Sequence, residues 1–117
     1  MIQAAAQCLG NPYVWGGTSL THGADCSGFV QTLYSMFGYK IPRVADAQSR
    51  YGTQIPISDA APGDLIFFQG TYNTSGASHV GIYVGGGMMI HCGNPISYAS
   101  IETCYWQQHY YCMGRIR

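Results

Sequence analysis

The stretch His79-Val80-Gly81-Ile82-Tyr83-Val84-Gly85-Gly86-Gly87-Met88-Met89-Ile90-His91-Cys92 constrains this chain most, because its pattern fits a β-hairpin with a definite register. Central glycines supply the positive φ angles that tight hairpin turns require. With Gly85 to Gly87 as a three-residue loop, Val84 faces Met88, Ile82 faces Ile90 and Val80 faces Cys92, giving one continuous apolar face. Side chains alternate along a strand, so His79, Gly81, Tyr83, Met89 and His91 share the other face. A two-residue loop would divide the histidines between faces and spoil the apolar one. The three-residue register puts His91 across from Gly81 and diagonal to His79. Both imidazoles then lie on a polar, accessible face, with room left by the glycine.

Helical signals precede these strands. Residues 2–9 read as a short helix stopped by Gly10-Asn11-Pro12, and Tyr13-Val14-Trp15-Gly16-Gly17 reads as a loop. A second helix opens at Cys26 and ends near Gly38, with Phe29, Val30, Leu33, Tyr34 and Phe37 on one apolar face. Pro42 suits the first turn of a third helix that runs through Gln48 and Tyr51 to Gly52. Leu65-Ile66-Phe67-Phe68 is a strand introduced by Pro62-Gly63-Asp64, and a polar loop over 69–78 precedes the hairpin. Further strands are expected over 96–100 and 110–116. Helices first and antiparallel strands after them predict an α+β fold.

Cys26 is the candidate nucleophile. Asp25 or Ser27 can cap the helix, which places Cys26 in the first turn, where the positive end of the dipole favours a thiolate. The histidine pair then has three readings. In the catalytic one, His79 is the general base and His91 orients it through the other ring nitrogen. A zinc site of Cys26, His79 and His91 lacks any CxxC or HExxH spacing, so no metal or cofactor is expected. In the third, both are surface histidines. The coincidence of a helix-start cysteine with paired strand histidines favours the catalytic reading. His22 and His109 lack such a context and are expected to be exposed, and Cys92 points into the apolar face as packing.

Composition narrows the partners. Charged residues make up 9% of the 117 residues, five acidic against five basic, which gives no electrostatic case for nucleic acid or an anionic membrane surface. No apolar run approaches the roughly 20 residues of a membrane span. Sixteen glycines and ten tyrosines suit turns, β-structure and a polar-aromatic surface for sugars or peptides. The length fits one domain over 1–117. Its start lacks the basic and long apolar regions of a signal peptide, as expected of a cytosolic protein or of a domain cut from something longer. Five cysteines leave at least one thiol unpaired. Cys104 and Cys112 flank an aromatic segment and are the pair to expect if a disulfide forms, but the favoured reading is that Cys8, Cys92, Cys104 and Cys112 are all small buried hydrophobes.

At these residues the chain resembles the bacterial NlpC/p60 cell-wall peptidases along essentially its whole length. The motifs are Tyr13-Val14-Trp15-Gly16-Gly17, Asp25-Cys26-Ser27-Gly28-Phe29-Val30, Pro42-Arg43 with Gln48, Pro62-Gly63-Asp64-Leu65, His79-Val80-Gly81-Ile82-Tyr83 and Met89-Ile90-His91. The resemblance implies a papain-like fold and a triad of Cys26 as nucleophile, His79 as base and His91 as third member. It implies cleavage of the γ-D-glutamyl to diamino-acid bond of peptidoglycan stem peptides by a secreted or wall-associated, monomeric domain. A cysteine amidase or acyltransferase on the same fold is the alternative. Tyr13 would lie beside the cysteine, and Trp15, Asp25, Ser27 and Arg43 are the other expected substrate contacts. Some relatives that demand a free N-terminal alanine carry a serine after the Pro-Arg pair; here Val44-Ala45 stands there, which weakens that expectation.

Overall fold

The computed structural model describes residues 2–93 and 95–116; Met1, with which the N-terminal segment begins, lies outside them. The elements are α1 (Ile2–Ala6), β1 (Thr18–Ser19), β2 (Gly23–Ala24), α2 (Cys26–Ser35), α3 (Ala45–Tyr51), β3 (Thr53–Ile55) and a 3-10 turn (Ile57–Asp59). After them come β4 (Leu65–Gln69), β5 (Ala77–Gly85), β6 (Met88–Cys92), β7 (Ile96–Ser100), α4 (Cys104–His109) and β8 (Tyr110–Arg115). Strands β3 to β8 form an antiparallel sheet in the order β3-β8-β4-β5-β6-β7, and β1 pairs with β2 apart from it. This is the expected α+β fold.

The apolar run of β4 explains why the sheet is covered on both sides. Four consecutive apolar residues leave a strand no solvent face. Leu65 and Phe67 pack into the layer with Phe29, Val30 and Leu33 of α2. Ile66 and Phe68 point the other way, into a second cluster with Met89, Ile101 and Met113, closed by Trp106 of α4. The hairpin sends Val80, Ile82, Ile90 and Cys92 to the α2 side, as the alternation predicts. The opposite face is not the accessible polar surface expected. Met89 is fully buried there and His91 is 8% exposed, because the second cluster and α4 lie over them.

The hairpin turn differs in count but not in consequence. Gly81 pairs with His91 and Ile82 with Ile90, as expected, but Gly85 rather than Val84 pairs with Met88. The turn therefore leaves out only Gly86 and Gly87, whose φ angles of 62° and 76° suit a two-residue hairpin loop. The register shifts between Tyr83 and Gly85, and this irregularity absorbs the extra residue. Both histidines stay on one face.

Helix boundaries are shorter than the periodicity predicts. α1 ends at Ala6 and continues only as turns to Gly10. α2 ends at Ser35, so Phe37 lies past its last turn and is 47% exposed instead of buried. α3 starts at Ala45, leaving Pro42 and Arg43 in the approach to it, where Gln48 holds the Pro42 carbonyl. No disulfide forms: all five cysteines are free. Cys112 turns toward the α2 side, whereas Cys104 is exposed at the start of α4 on the opposite face, so these two cannot meet. Cys8 and Cys92 are buried small hydrophobes, but Cys104 is not. His22 is exposed as expected, while His109 is half-buried with Nδ1 2.7 Å from the Gln69 carbonyl.

Candidate active site

Asp25 starts α2 and ties three segments together. Its backbone is extended, and its Oδ1 accepts the Gly28 N–H at 2.7 Å, the N-cap geometry that the sequence allowed to either Asp25 or Ser27. Oδ2 accepts the Gly16 N–H at 3.0 Å and pairs with Arg43 at 3.0 Å. Arg43 also donates to Ser27 Oγ at 2.8 Å and to the Gly17 carbonyl at 3.3 Å. Burial opposes ionisation of Asp25, but the Arg43 guanidinium and the Gly28 and Gly16 N–H groups outweigh it and hold the carboxyl below its ordinary range.

One residue later, Cys26 is buried with its Sγ 3.9 Å from the Ser78 carbonyl at the start of β5. Burial pushes its thiol up, and the Asp25 carboxylate adds to this. Backbone N–H groups of Val80, Ser27 and Cys26 itself act in the opposite sense without overcoming it. The dipole argument predicted a thiolate at rest. Desolvation outweighs these N–H groups, so the buried site disfavours the thiolate.

His79 and His91 meet as the register requires. His79 Nε2 lies 2.8 Å from His91 Nδ1, with the two rings nearly perpendicular. A Cβ at position 81 would come within 2.6 Å of Met89 Sδ and 3.2 Å of His91 Cβ, so any larger residue would have to displace Met89 and press on His91. Burial drives the His79 imidazole down to about 3, helped by its neighbour His91, and burial drives His91 to about 4. Both rings are neutral near pH 7, so one N–H is shared between Nε2 of His79 and Nδ1 of His91. When His79 carries it, His79 Nδ1 is left as a free acceptor.

A cleft of about 890 Å³ joins these parts. Tyr13, Trp15, Asp25, Cys26, Ser27, Arg43 and His79 all line it, whereas His91 stands behind His79 and does not. Trp15 is 69% exposed and meets Tyr72 of the β4–β5 loop edge-on at 5.3 Å. Tyr13 is half-buried, its hydroxyl pKa pushed up to about 12 by burial and by Cys26 and Asp25. Among the described residues no cluster of three or more His, Cys, Asp or Glu side chains could hold a metal ion, and no helix is long and apolar enough to cross a membrane.

The roles of three further residues escape the sequence reading. Gln48 is buried, and its Nε2 donates to the carbonyls of Ser27 at 3.1 Å and Pro42 at 2.8 Å, fixing α2 against the Arg43 approach. Its place in the Pro42-Arg43 motif was a signal of importance, not of role. Asp46 lines the cleft and accepts the Ala77 N–H at 3.0 Å. Trp106 stacks on His79 with ring centres 5.2 Å apart, and nothing local in the sequence points to that.

A helix-borne cysteine sharing a cleft with a strand-borne histidine, which a second histidine backs, is the arrangement of a papain-like α+β fold. Residues 10–115 match the NlpC/P60 family, and the chain belongs to it. It is 39% identical over 118 residues to the bifunctional muramidase/DL-endopeptidase CwlT of Bacillus subtilis, covering 100% of this chain and 36% of that protein. It is 45% identical over 102 residues to the gamma-D-glutamyl-L-lysine dipeptidyl-peptidase of Bacillus subtilis, covering 87% of this chain and 33% of that one. The chain thus spans about a third of the length of these curated relatives. An NLP/P60 family structure from Staphylococcus aureus superposes with a TM-score of 0.92 at 41% identity, over 97% of this chain and 39% of that one. The NlpC/p60 domain of the peptidoglycan hydrolase SagA gives 0.83 at 31% identity, over 98% of this chain and 95% of that one.

Proposed function

We propose that this chain is the catalytic domain of a longer, wall-associated cysteine peptidase that cleaves the γ-D-glutamyl to diamino-acid bond of peptidoglycan stem peptides. The observation that carries the reading is the 2.8 Å contact between His79 Nε2 and His91 Nδ1, behind a ring that shares its cleft with Cys26. That contact occupies one nitrogen of His79 and leaves Nδ1 to act on the thiol. The names of the relatives, a DL-endopeptidase and a γ-D-glutamyl-L-lysine dipeptidyl-peptidase, support the bond.

In this reading the resting pair is neutral, and Cys26 gives its proton to His79 Nδ1 as Sγ attacks the glutamyl carbonyl. The carbonyl oxygen becomes an oxyanion facing the Cys26 N–H. Collapse breaks the C–N bond, and His79 returns the proton to the leaving amine. A water then loses a proton to His79, its oxygen attacks the thioester, and the departing sulfur takes that proton back. His91 holds the His79 tautomer throughout, as a carboxylate or amide does in other triads. Tyr13, Trp15, Asp25, Ser27 and Arg43 form the wall that receives the peptide, and the domain acts as a monomer.

Mass spectrometry of lysine-type and diaminopimelate-type muropeptide digests tests this, with Cys26→Ala as control. A new amino group on the diamino acid, absent with the variant, is expected. A free lactyl carboxyl on muramic acid would instead make the protein an amidase.

A further inference from the structure

Trp106 has no place in the chemistry above, yet it touches both imidazoles. Its indole stacks on His79 at 5.2 Å and 24°, and meets His91 edge-on at 5.4 Å and 83°. Phe68 of β4 backs the indole at 4.6 Å and approaches His79 at 6.3 Å. Trp106 does not line the cleft that His79 shares with Cys26; it packs against His79 from outside that cleft. The helix that carries it has six residues, too few to hold itself in water. It is fixed at both ends instead. Thr103 Oγ1 accepts the Trp106 N–H at 3.4 Å, and His109 Nδ1 lies 2.7 Å from the Gln69 carbonyl at the end of β4.

We infer that Trp106 is a positioning residue for His79, its indole face fixing the plane of the imidazole and favouring the imidazolium formed when Cys26 gives up its proton. The inference rests on the Cys26–His79 pairing of the reading above, not on the bond cleaved. Two properties of the stack lead to it. A flat indole against one face, with His91 on Nε2, leaves the imidazole no free rotation, so Nδ1 keeps its direction. A cation within about 6 Å of an indole centre is attracted to its π face, whereas a neutral ring gains none of this charge term. The contact is therefore stronger after proton transfer than before it, which is the condition for acceleration.

The experiment compares Trp106→Phe with Trp106→Leu. Leucine fills and dries the site but offers no ring face; phenylalanine keeps one. Two rates are read: kcat and KM on a muropeptide, and alkylation of Cys26 by iodoacetamide at pH 7, which requires thiolate but no peptidoglycan. Alkylation in a Cys26→Ala background is subtracted to remove the other thiols. Trp106→Leu should lower both kcat and alkylation about 10-fold with KM unchanged, and Trp106→Phe should recover most of each. Any result in which phenylalanine does not exceed leucine overturns the inference, including equal loss through misfolding. A wild type that cleaves no muropeptide but shows the Phe-over-Leu order in alkylation overturns the endopeptidase reading and leaves the Trp106 role supported.

Discussion

His79 Nε2 lies 2.8 Å from His91 Nδ1, and neither ring carries a charge near neutral pH. The shared proton must sit on His79 Nε2 for Nδ1 to accept a proton from Cys26, so His91 has to remain an acceptor at Nδ1. An amide oxygen can play that part and a methyl cannot. His91→Ala should therefore lower kcat by on the order of 10²–10⁴-fold with little change in KM, and His91→Asn should recover part of the loss. Equal kcat in both variants would remove His91 from the chemistry.

The same burial makes the fold acid-sensitive. Unfolding returns both imidazoles to an ordinary pKa of about 6.5, above their folded values of about 3 and about 4. The unfolded chain then binds more protons, so stability is fully present above about pH 6.5 and drains away as pH falls toward the folded values. Asp25, whose carboxyl is held below its ordinary range, adds a further loss at still lower pH. Calorimetry in buffers of different ionisation enthalpy should register uptake of about one proton or more on unfolding between pH 4 and 6. No uptake in that window would mean the histidines are already hydrated and titrate normally in the fold.

What the sequence made legible here was local. Asp25 followed by the apolar spacing of Phe29, Val30, Leu33 and Tyr34 defines the start of α2, because capping and helical periodicity act within a few residues. The hairpin was readable because its alternation fixes which side chains share a face. The turn count was not: three consecutive glycines permit a three-residue loop or a two-residue loop with a register shift, and the fold takes the second. β3 was missed because three residues carry no period, and its existence depends on Thr53 meeting Arg115, which is distant in sequence. Trp106 lies 27 residues beyond His79, and only the docking of α4 on Phe68 brings their rings together. The triad candidates lie on local elements, and the groups that hold them come from distant ones.

Arg43 illustrates such a distant support. One guanidinium serves Ser27 Oγ, the Asp25 carboxylate and the Gly17 carbonyl, joining the Tyr13–Trp15 loop to the first turn of α2. A lysine ammonium cannot span those three acceptors from one point. Arg43→Lys should therefore loosen the cleft wall and lower kcat/KM about 10-fold, mainly through KM, a value kept modest because a third of the side chain is exposed. Peptide titration against the Cys26→Ala protein, with and without Arg43→Lys, separates binding from chemistry. Unchanged binding would assign Arg43 to the fold alone.

The thiols give a test that needs no substrate. Cys104 is exposed at the start of α4, while Cys8, Cys26 and Cys92 are buried and Cys112 is half-buried. Burial raises the pKa of Cys112 and takes Cys92 to about 12, so neither ionises readily in the fold. Brief treatment of the native protein with a bulky maleimide should therefore label Cys104 ahead of Cys112 and Cys92. Denaturation without reductant should then expose all five thiols to label. Intact mass reads both results. A total of three labels, with Cys104 and Cys112 both unmodified on peptide mapping, would mean those two residues are bridged and that α4 sits differently against β8. That outcome would also move Trp106 away from His79, so the thiol count bears directly on the packing around His79.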